Sequence, residues 1–313
     1  MADNSTAQLA VSNIHADSFT FDQKFLLDPL KDISIIRKLF PIISLSGAEQ
    51  MKAHYFEATN MNLPQMVRDL KNPEVNDLTT QEKIIEVHEI VDALNWTKRD
   101  FNRISKDVSN INHREGLLGE RFGEKENITG IAGHTSPAIT ALLNASRGED
   151  AALTNKTATT FAGWAAMIAE LRSDMRNDLG TIYQQLVPKQ WLLMSTDVYD
   201  LATQTYSTTQ DNLSVLNWLQ MPVAAGGAGF GDNIWYSNHL GATVTNNVSA
   251  ENGTQNIMLG TNSLLTGALY VTPFQKLDAS RHDQEVRWWY SQRFAPACFR
   301  STGFQWEDGV TVS

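Results

Sequence analysis

The stretch that most constrains this chain runs from Thr97 to about Arg121. Phe101, Ile104, Val108, Ile111, Leu118 and Phe122 recur at helical spacing, with Glu115 interrupting the series once. Thr97 is a good N-cap with Asp100 three residues on, close to a capping box. Trp96 and Phe101 stand where a hydrophobic staple would place them. The spacing predicts a helix over 97–121, roughly 37 Å long at ~1.5 Å per residue. That exceeds the usual length of about 10–14 residues. It carries one apolar stripe, so it must lie along another layer of the fold without being engulfed by it. A strand is expected just before it over 83–91, with Ile85, Val87 and Val91 apolar among Glu86, His88 and Glu89.

Upstream, residues 1–25 are small, polar and acidic, the composition of an arm that orders only against a partner. Residues 28–47 are more apolar and are punctuated by Pro29 and Pro41. Residues 48–80 mix Tyr55, Phe56 and Met61 with prolines and asparagines, show no helical period, and read as an extended loop or hairpin. Downstream, the glycines of 123–150 read as loop. A second long helix is expected where Trp164, Ile168, Leu171, Met175, Leu179, Ile182 and Leu186 step by three and four, closed by Pro188. Trp191-Leu192-Leu193-Met194 reads as a short buried strand, with helices after it capped by Thr196 and by Asp211. Residues 222–256 are rich in Gly, Asn and Thr. From Ile257 the chain turns to strands, with Val286, Trp288, Tyr290 and Phe294 on one face of the last long one.

Of the 313 residues, 42% are hydrophobic and 19% charged, which excludes wholesale disorder, a fibrous rod and a disulfide-stapled miniprotein. The formal net charge of -10 argues against a dedicated DNA-binding domain, though a local basic face stays open. Cys298 is the single cysteine, so no intrachain disulfide forms. The N-terminus lacks a signal-peptide pattern and no apolar run reaches membrane-span length, so a cytoplasmic site of synthesis is expected.

Chemical motifs are sparse. Gly227-Ala228-Gly229-Phe230-Gly231 suggests a phosphate loop only superficially, because no strand precedes it, no helix signal follows, and the Lys-Ser/Thr pair is absent. The plainer reading is a flexible tip. The seven histidines never stand at metal-ligand spacing, Cys298 has no nominated base, and no nucleophile elbow is present. No enzyme activity, cofactor or metal is therefore expected. Lys98, Arg99, Arg103, Lys106, Arg114, Arg121 and Lys125 share the first long helix with acidic residues. They read first as a solvated or salt-bridged face and second as a nucleic-acid contact.

The order of elements carries a resemblance. Glu86-Val87-His88-Glu89 leading to Trp96-Thr97-Lys98-Arg99-Asp100 comes first. Phe122-Gly123 with Gly130-Ile131-Ala132-Gly133 and Pro137-Ala138-Ile139 follows. Then come Trp191 through Tyr199, and Ser214-Val215-Leu216-Asn217-Trp218-Leu219. Together they resemble the Hong Kong 97-type fold of tailed-virus major capsid proteins and encapsulins, over roughly residues 50–313. The resemblance implies an α+β chain with an N-terminal arm (1–47) and an extended loop (48–80). It implies a peripheral domain (81–145 and 263–300) with its spine helix near 97–121, and an axial domain (146–262 and 301–313).

The implied function is self-assembly into pentamers and hexamers of an icosahedral shell in a virion, built in the host cytoplasm around double-stranded DNA held by non-specific contact. Decoration, scaffold and portal proteins are implied as further partners, and no membrane. The assembly residues it nominates are Tyr55, Phe56 and Met61 in the loop, Arg99 and Arg103 on the spine helix, and Gly227, Gly229, Phe230 and Gly231 at the axial tip. Glycine there would let one loop adapt to two ring sizes. An encapsulin-type compartment and an unrelated soluble enzyme stay open as alternatives.

Overall fold

A computed structural model describes residues 24–46, 52–58, 80–97, 108–139, 141, 149–151, 153–207, 213–245, 248–249, 256–282 and 285–312. In chain order these form α1 (Lys24–Ile33), α2 (Ile36–Leu39), β1 (Ile42–Ser44), β2 (Lys52–Ala58), β3 (Thr80–Glu86), β4 (His88–Thr97) and α3 (Val108–Asn127). A π-helical turn, Ile128–Ala132, continues α3. There follow β5 (His134–Thr135), β6 (Ala138–Ile139), β7 (Glu149–Asp150), α4 (Phe161–Leu179), α5 (Tyr183–Leu186), β8 (Gln190–Met194), α6 (Thr196–Gln204) and α7 (Val215–Gln220). The rest is strand-rich: β9 (Ile234–Tyr236), β10 (Val244–Thr245), β11 (Val248–Ser249), β12 (Ile257–Thr261), β13 (Gly267–Val271), β14 (Gln275–His282), β15 (Glu285–Cys298) and β16 (Gln305–Glu307). None of the described helices is long and apolar enough to cross a membrane.

Two five-stranded sheets organise these elements. The first is built on β15, whose N-terminal part pairs with β14 on one side and β4 on the other, and whose C-terminal part pairs with β13. Strand β1 adds to β13 in parallel. Trp288, Tyr290 and Phe294 of β15 are buried, the face that their alternation predicts. The second sheet has the order β7-β16-β12-β8-β9. Every residue of β8 and β12 is buried because both faces are covered. Leu192, Met194, Ile257 and Leu259 pack with Trp164, Met167 and Leu171 of α4. Trp191, Leu193 and Met258 face the other way, against Ile36, Leu39, Phe40 and Phe304. That explains an unbroken apolar strand with no polar alternate.

The first long helix differs from its sequence reading at both ends. Thr97 closes β4, where it pairs with Glu285, and Trp96 pairs with Val286. Ten consecutive pairings with β15 outweigh a local capping signal worth about 1 kcal/mol. Phe101 and Ile104 lie outside the described residues. At the far end the helix passes straight through Gly123, and the π turn contains Gly130. These glycines are contact points, not loop punctuation. A Cβ on Gly123 would stand 3.0 Å from the Leu30 carbonyl oxygen, and one on Gly130 would stand 2.8 Å from Ile36 Cδ1.

The second long helix is interrupted at Gly180, whose φ of 56° ends α4 before α5 resumes. The caps also shift by a few residues: Ser195 holds the N-cap of α6, and the Ser214 hydroxyl accepts from Asn217 N–H at 3.2 Å to cap α7.

The apolar N-terminal segment packs within the chain itself. Leu30, Ile36, Leu39 and Phe40 are buried in its core. The Glu126 carboxylate accepts from Ser34 Oγ at 2.8 Å and from Arg37 Nε and Nη2 at 2.7 and 2.6 Å. Asn127 Oδ1 accepts from Ile35 N–H at 2.7 Å, and its Nδ2 donates to the Ile33 carbonyl at 2.9 Å. One junction thus satisfies the polar groups at the break between α1 and α2. Residues 1–23 lie outside the described set.

Candidate assembly surfaces

The stretch read as loop or hairpin holds β2, paired antiparallel with β3 from Lys52↔Glu86 to Ala58↔Thr80. Its base is anchored: Ala53 and Val87 are buried with Leu45, Tyr270, Ala295 and Ala297. Beyond the base no third strand joins it among the described residues. Ile84 is 54% exposed there. Two strands alone are marginal in water, and their open edges offer unpaired backbone groups. Tyr55 and Phe56 sit in β2, opposite Lys83 and Glu82. Met61 lies outside the described residues.

The glycine-rich loop is not the open tip that composition suggests. Gly227 N–H donates to the Pro222 carbonyl at 3.1 Å, Ala228 to Trp218 at 2.9 Å, Gly229 to Met221 at 2.8 Å and Phe230 to Leu219 at 3.0 Å. With those donors used within the chain, no cradle for phosphate is left. Phe230 is buried in the core beneath α4, and the Arg172 guanidinium lies 4.5 Å from its ring centroid. Arg172 Nη2 also donates to the Ala228 carbonyl at 2.6 Å. Gly227 is needed because a Cβ would stand 2.3 Å from the Met221 carbonyl oxygen, and Gly229 because its φ is 83°. The exposed part is the preceding turn, where Val223 is 66% exposed. The nominated glycines and Phe230 thus shape the turn, and Val223 and its neighbours present it.

Arg99 and Arg103 lie outside the described residues. Of the other basic residues on this helix, Arg121 is largely exposed with Asp92 3.8 Å away. Lys125 is half-buried, which pushes its pKa down. Both border a cleft of about 380 Å³ between β4, the end of α3 and the β5–β6 hairpin, floored by Phe122 and Phe294. His88 borders it too, its pKa lowered by burial against an opposing pull from Glu86.

Sequence reasoning missed the polar contacts that fix α3 in place. Glu115 is buried and accepts from Tyr290 Oη at 2.7 Å, with Lys276 Nζ 3.8 Å away. Burial, and then the negative charge of Glu115, drive the Tyr290 pKa upward. Burial lowers that of Lys276, whose ammonium lies 3.8 Å from the Trp288 ring centroid. A carboxylate interrupting an apolar stripe was the available signal. Further along the helix, Glu124 accepts from His239 Nε2 at 2.8 Å, and His239 Nδ1 meets Ser249 Oγ at 3.0 Å. The first of these bonds lowers the Glu124 pKa against the opposing effect of burial. No group of three or more potential metal-ligating side chains is gathered among the described residues.

No protein-family model matches the chain, and no curated protein matches its sequence. Solved structures do match its shape. A chain from the capsid of Myoviridae phage XM1 aligns over 88% of this chain and 92% of its own, with a TM-score of 0.58 and 12% identity. A chain from the capsid of an empty GTA particle gives 0.61 at 12% identity, over 89% and 90%. The virus-like particle from Pyrococcus furiosus gives 0.55 at 11% identity, over 92% and 100%. Identities this low speak for architecture alone. The architecture they share is the Hong Kong 97-type capsid fold, which this chain adopts.

Proposed function

We propose that this chain is a major capsid protein: a structural, non-enzymatic subunit that closes into an icosahedral shell of pentamers and hexamers around double-stranded DNA. The observation that carries the reading is the β2–β3 ribbon, anchored at its base and without a third strand among the described residues, in a chain whose fold matches that of a capsid chain over 88% of its length. A two-stranded ribbon gains most by lying on a neighbour. On this reading 48–80 is the extended loop, and 81–145 with 263–300 the peripheral domain. The axial domain is 146–262 with 301–313, and its exposed Val223 turn meets its counterparts around the ring axis. Tyr55, Phe56, Met61, Arg99 and Arg103 contact neighbours. Assembly takes place in the host cytoplasm, and decoration, scaffold and portal proteins complete the virion.

Negative-stain microscopy of the purified protein tests this. Closed shells of uniform diameter with nuclease-protected DNA are expected on expression alongside the packaging machinery. A compact monomer at every concentration sinks the proposal, and shells filled with a single enzyme replace the genome container with a cargo compartment.

A further inference from the structure

A second surface cleft, of about 620 Å³, opens on the face of the β8–β12 sheet away from α4. Lys38, Lys189, Pro41 and Trp191 line it, with Leu264 and Leu265 at its lip. The two leucines are 58% and 45% exposed. Asn262 ties its walls together, donating from Nδ2 to the Lys38 carbonyl at 3.0 Å and from its N–H to the Lys189 carbonyl at 2.8 Å. The cleft is therefore preformed. Lys38 Nζ donates to the Asp32 carbonyl at 2.6 Å and lies 4.8 Å from the Trp235 ring centroid, and among the described residues neither lysine is ion-paired with a carboxylate. Trp191 is buried in the cleft wall, and its indole N–H has no acceptor among the described residues.

On the opposite side of the same sheet α4 turns Arg172 to Gln190 and the Ala228 carbonyl and Arg176 to the Tyr183 ring, and leaves three carboxylates as a stripe. Glu170, Asp174 and Asp178 recur every fourth residue along α4, and none is ion-paired among the described residues. Glu170 accepts from the N–H groups of Thr154 and Asn155, and Asp178 from Gln305 Nε2 at 2.8 Å. Asp174 has no such support. Burial first, then the charges of Asp178 and Glu170, push its pKa up. Like charges at this spacing repel one another along the helix. Two patches of opposite sign that hold no ion pair among the described residues, on opposite sides of one sheet, suit a head-to-tail contact between copies, the kind that generates rings.

We infer that the Lys38/Lys189 cleft receives the acidic stripe of α4 from a second copy of this chain. The inference rests on the shell reading above and names one contact within it. Lysine ammonium groups meet the carboxylates, and Leu264 and Leu265 cover the flank of the incoming helix.

Charge reversal tests the contact on the full chain. Lys38→Glu with Lys189→Glu, and separately Asp174→Lys with Asp178→Lys, should each reduce shell yield roughly tenfold or more, since facing like charges cost several kcal/mol. Combining all four substitutions should restore it. Asp174→Lys alone leaves the Asp178–Gln305 bond intact and should reduce yield in the same direction. Melting of the unassembled subunits checks that each variant folds. The contact is overturned if either reversal assembles like the wild type, or if the folded fourfold variant does no better than its parents. A loss confined to the acidic reversal also overturns it, because the stripe would then serve another basic partner. A wild type that never associates overturns the shell reading and this contact with it.

Discussion

Two neighbouring regions of this subunit start from similar sequence and end in opposite situations. The segment from α1 to β1 and the β2–β3 ribbon both precede the long helix, and both mix apolar and polar residues with prolines nearby. The first is absorbed: Leu30, Ile36, Leu39 and Phe40 are buried, and Phe40 lies 5.4 Å from Phe304 and 6.2 Å from Trp191 between ring centroids. Among the described residues the ribbon is held at its base, by Ala53, Ile85 and Val87, and leaves Ile84 in solvent. The difference lies in the receiving surface. Gly123 and Gly130 remove side chains where the N-terminal segment approaches, and Glu126 and Asn127 supply partners for its polar groups. No described element offers the ribbon an equivalent seat. Among the described residues, what the subunit leaves unfinished is thus concentrated in the ribbon and the Val223 turn.

This contrast can be broken. Phe40→Ala should lower the stability of the unassembled subunit by about 3–5 kcal/mol, read by urea unfolding. Glu126→Ala, which leaves the nearly buried Arg37 unpaired, should cost a similar ~3–5 kcal/mol by the same measurement. Gly130→Val should cost about 1–3 kcal/mol through its clash with Ile36. Unchanged unfolding midpoints in these variants would mean that the segment is not part of the core. Ile84→Asp should behave in the reverse manner. Subunit stability should move by no more than about 0.5 kcal/mol, while sedimentation shows shell formation sharply reduced.

The smallest effect is expected at Glu124. Its pKa is held below the ordinary carboxylate value chiefly by the hydrogen bond from His239. A depressed acid contributes stability that is complete above its unfolded pKa of ~4.3 and is lost as pH falls through the lower folded value. Wild type should therefore melt slightly above Glu124→Gln near neutral pH, and the two melting curves should converge as pH falls through the lowered folded value.

Much of the architecture was legible in sequence where one residue pattern sufficed. The α4 stripe from Trp164 to Leu179, the buried β8 strand and the alternation in β15 all read correctly because their periodicity is local and strong. The start of α3 did not. A plausible cap at Thr97 lost to pairing with β15, nearly two hundred residues away, and no local signal reports a distant strand. Gly123 and Gly130 were misread for the same reason, since a glycine that makes room for Ile36 looks identical to one that makes a turn. The glycine-rich loop failed differently. Phe230 was part of the visible pattern, but a lone aromatic among glycines does not say whether it points to solvent or, as here, into the core beneath α4. Of the nominated assembly residues, Met61, Arg99 and Arg103 lie outside the described set, and the Tyr55–Phe56 pair was placed only as far as its strand.

Strand β1 lies parallel to β13, and Arg37 reaches Gln292 at 2.9 Å. Residues that leave the ribosome early therefore wait for permanent neighbours more than two hundred positions further along the chain. Such long-range closure slows folding and leaves it incomplete until β13 and β15 have been made. A product terminated before β13 could not seat its N-terminal segment. A shell of the kind proposed would thereby be spared such faulty tiles, because they have no finished shape to offer.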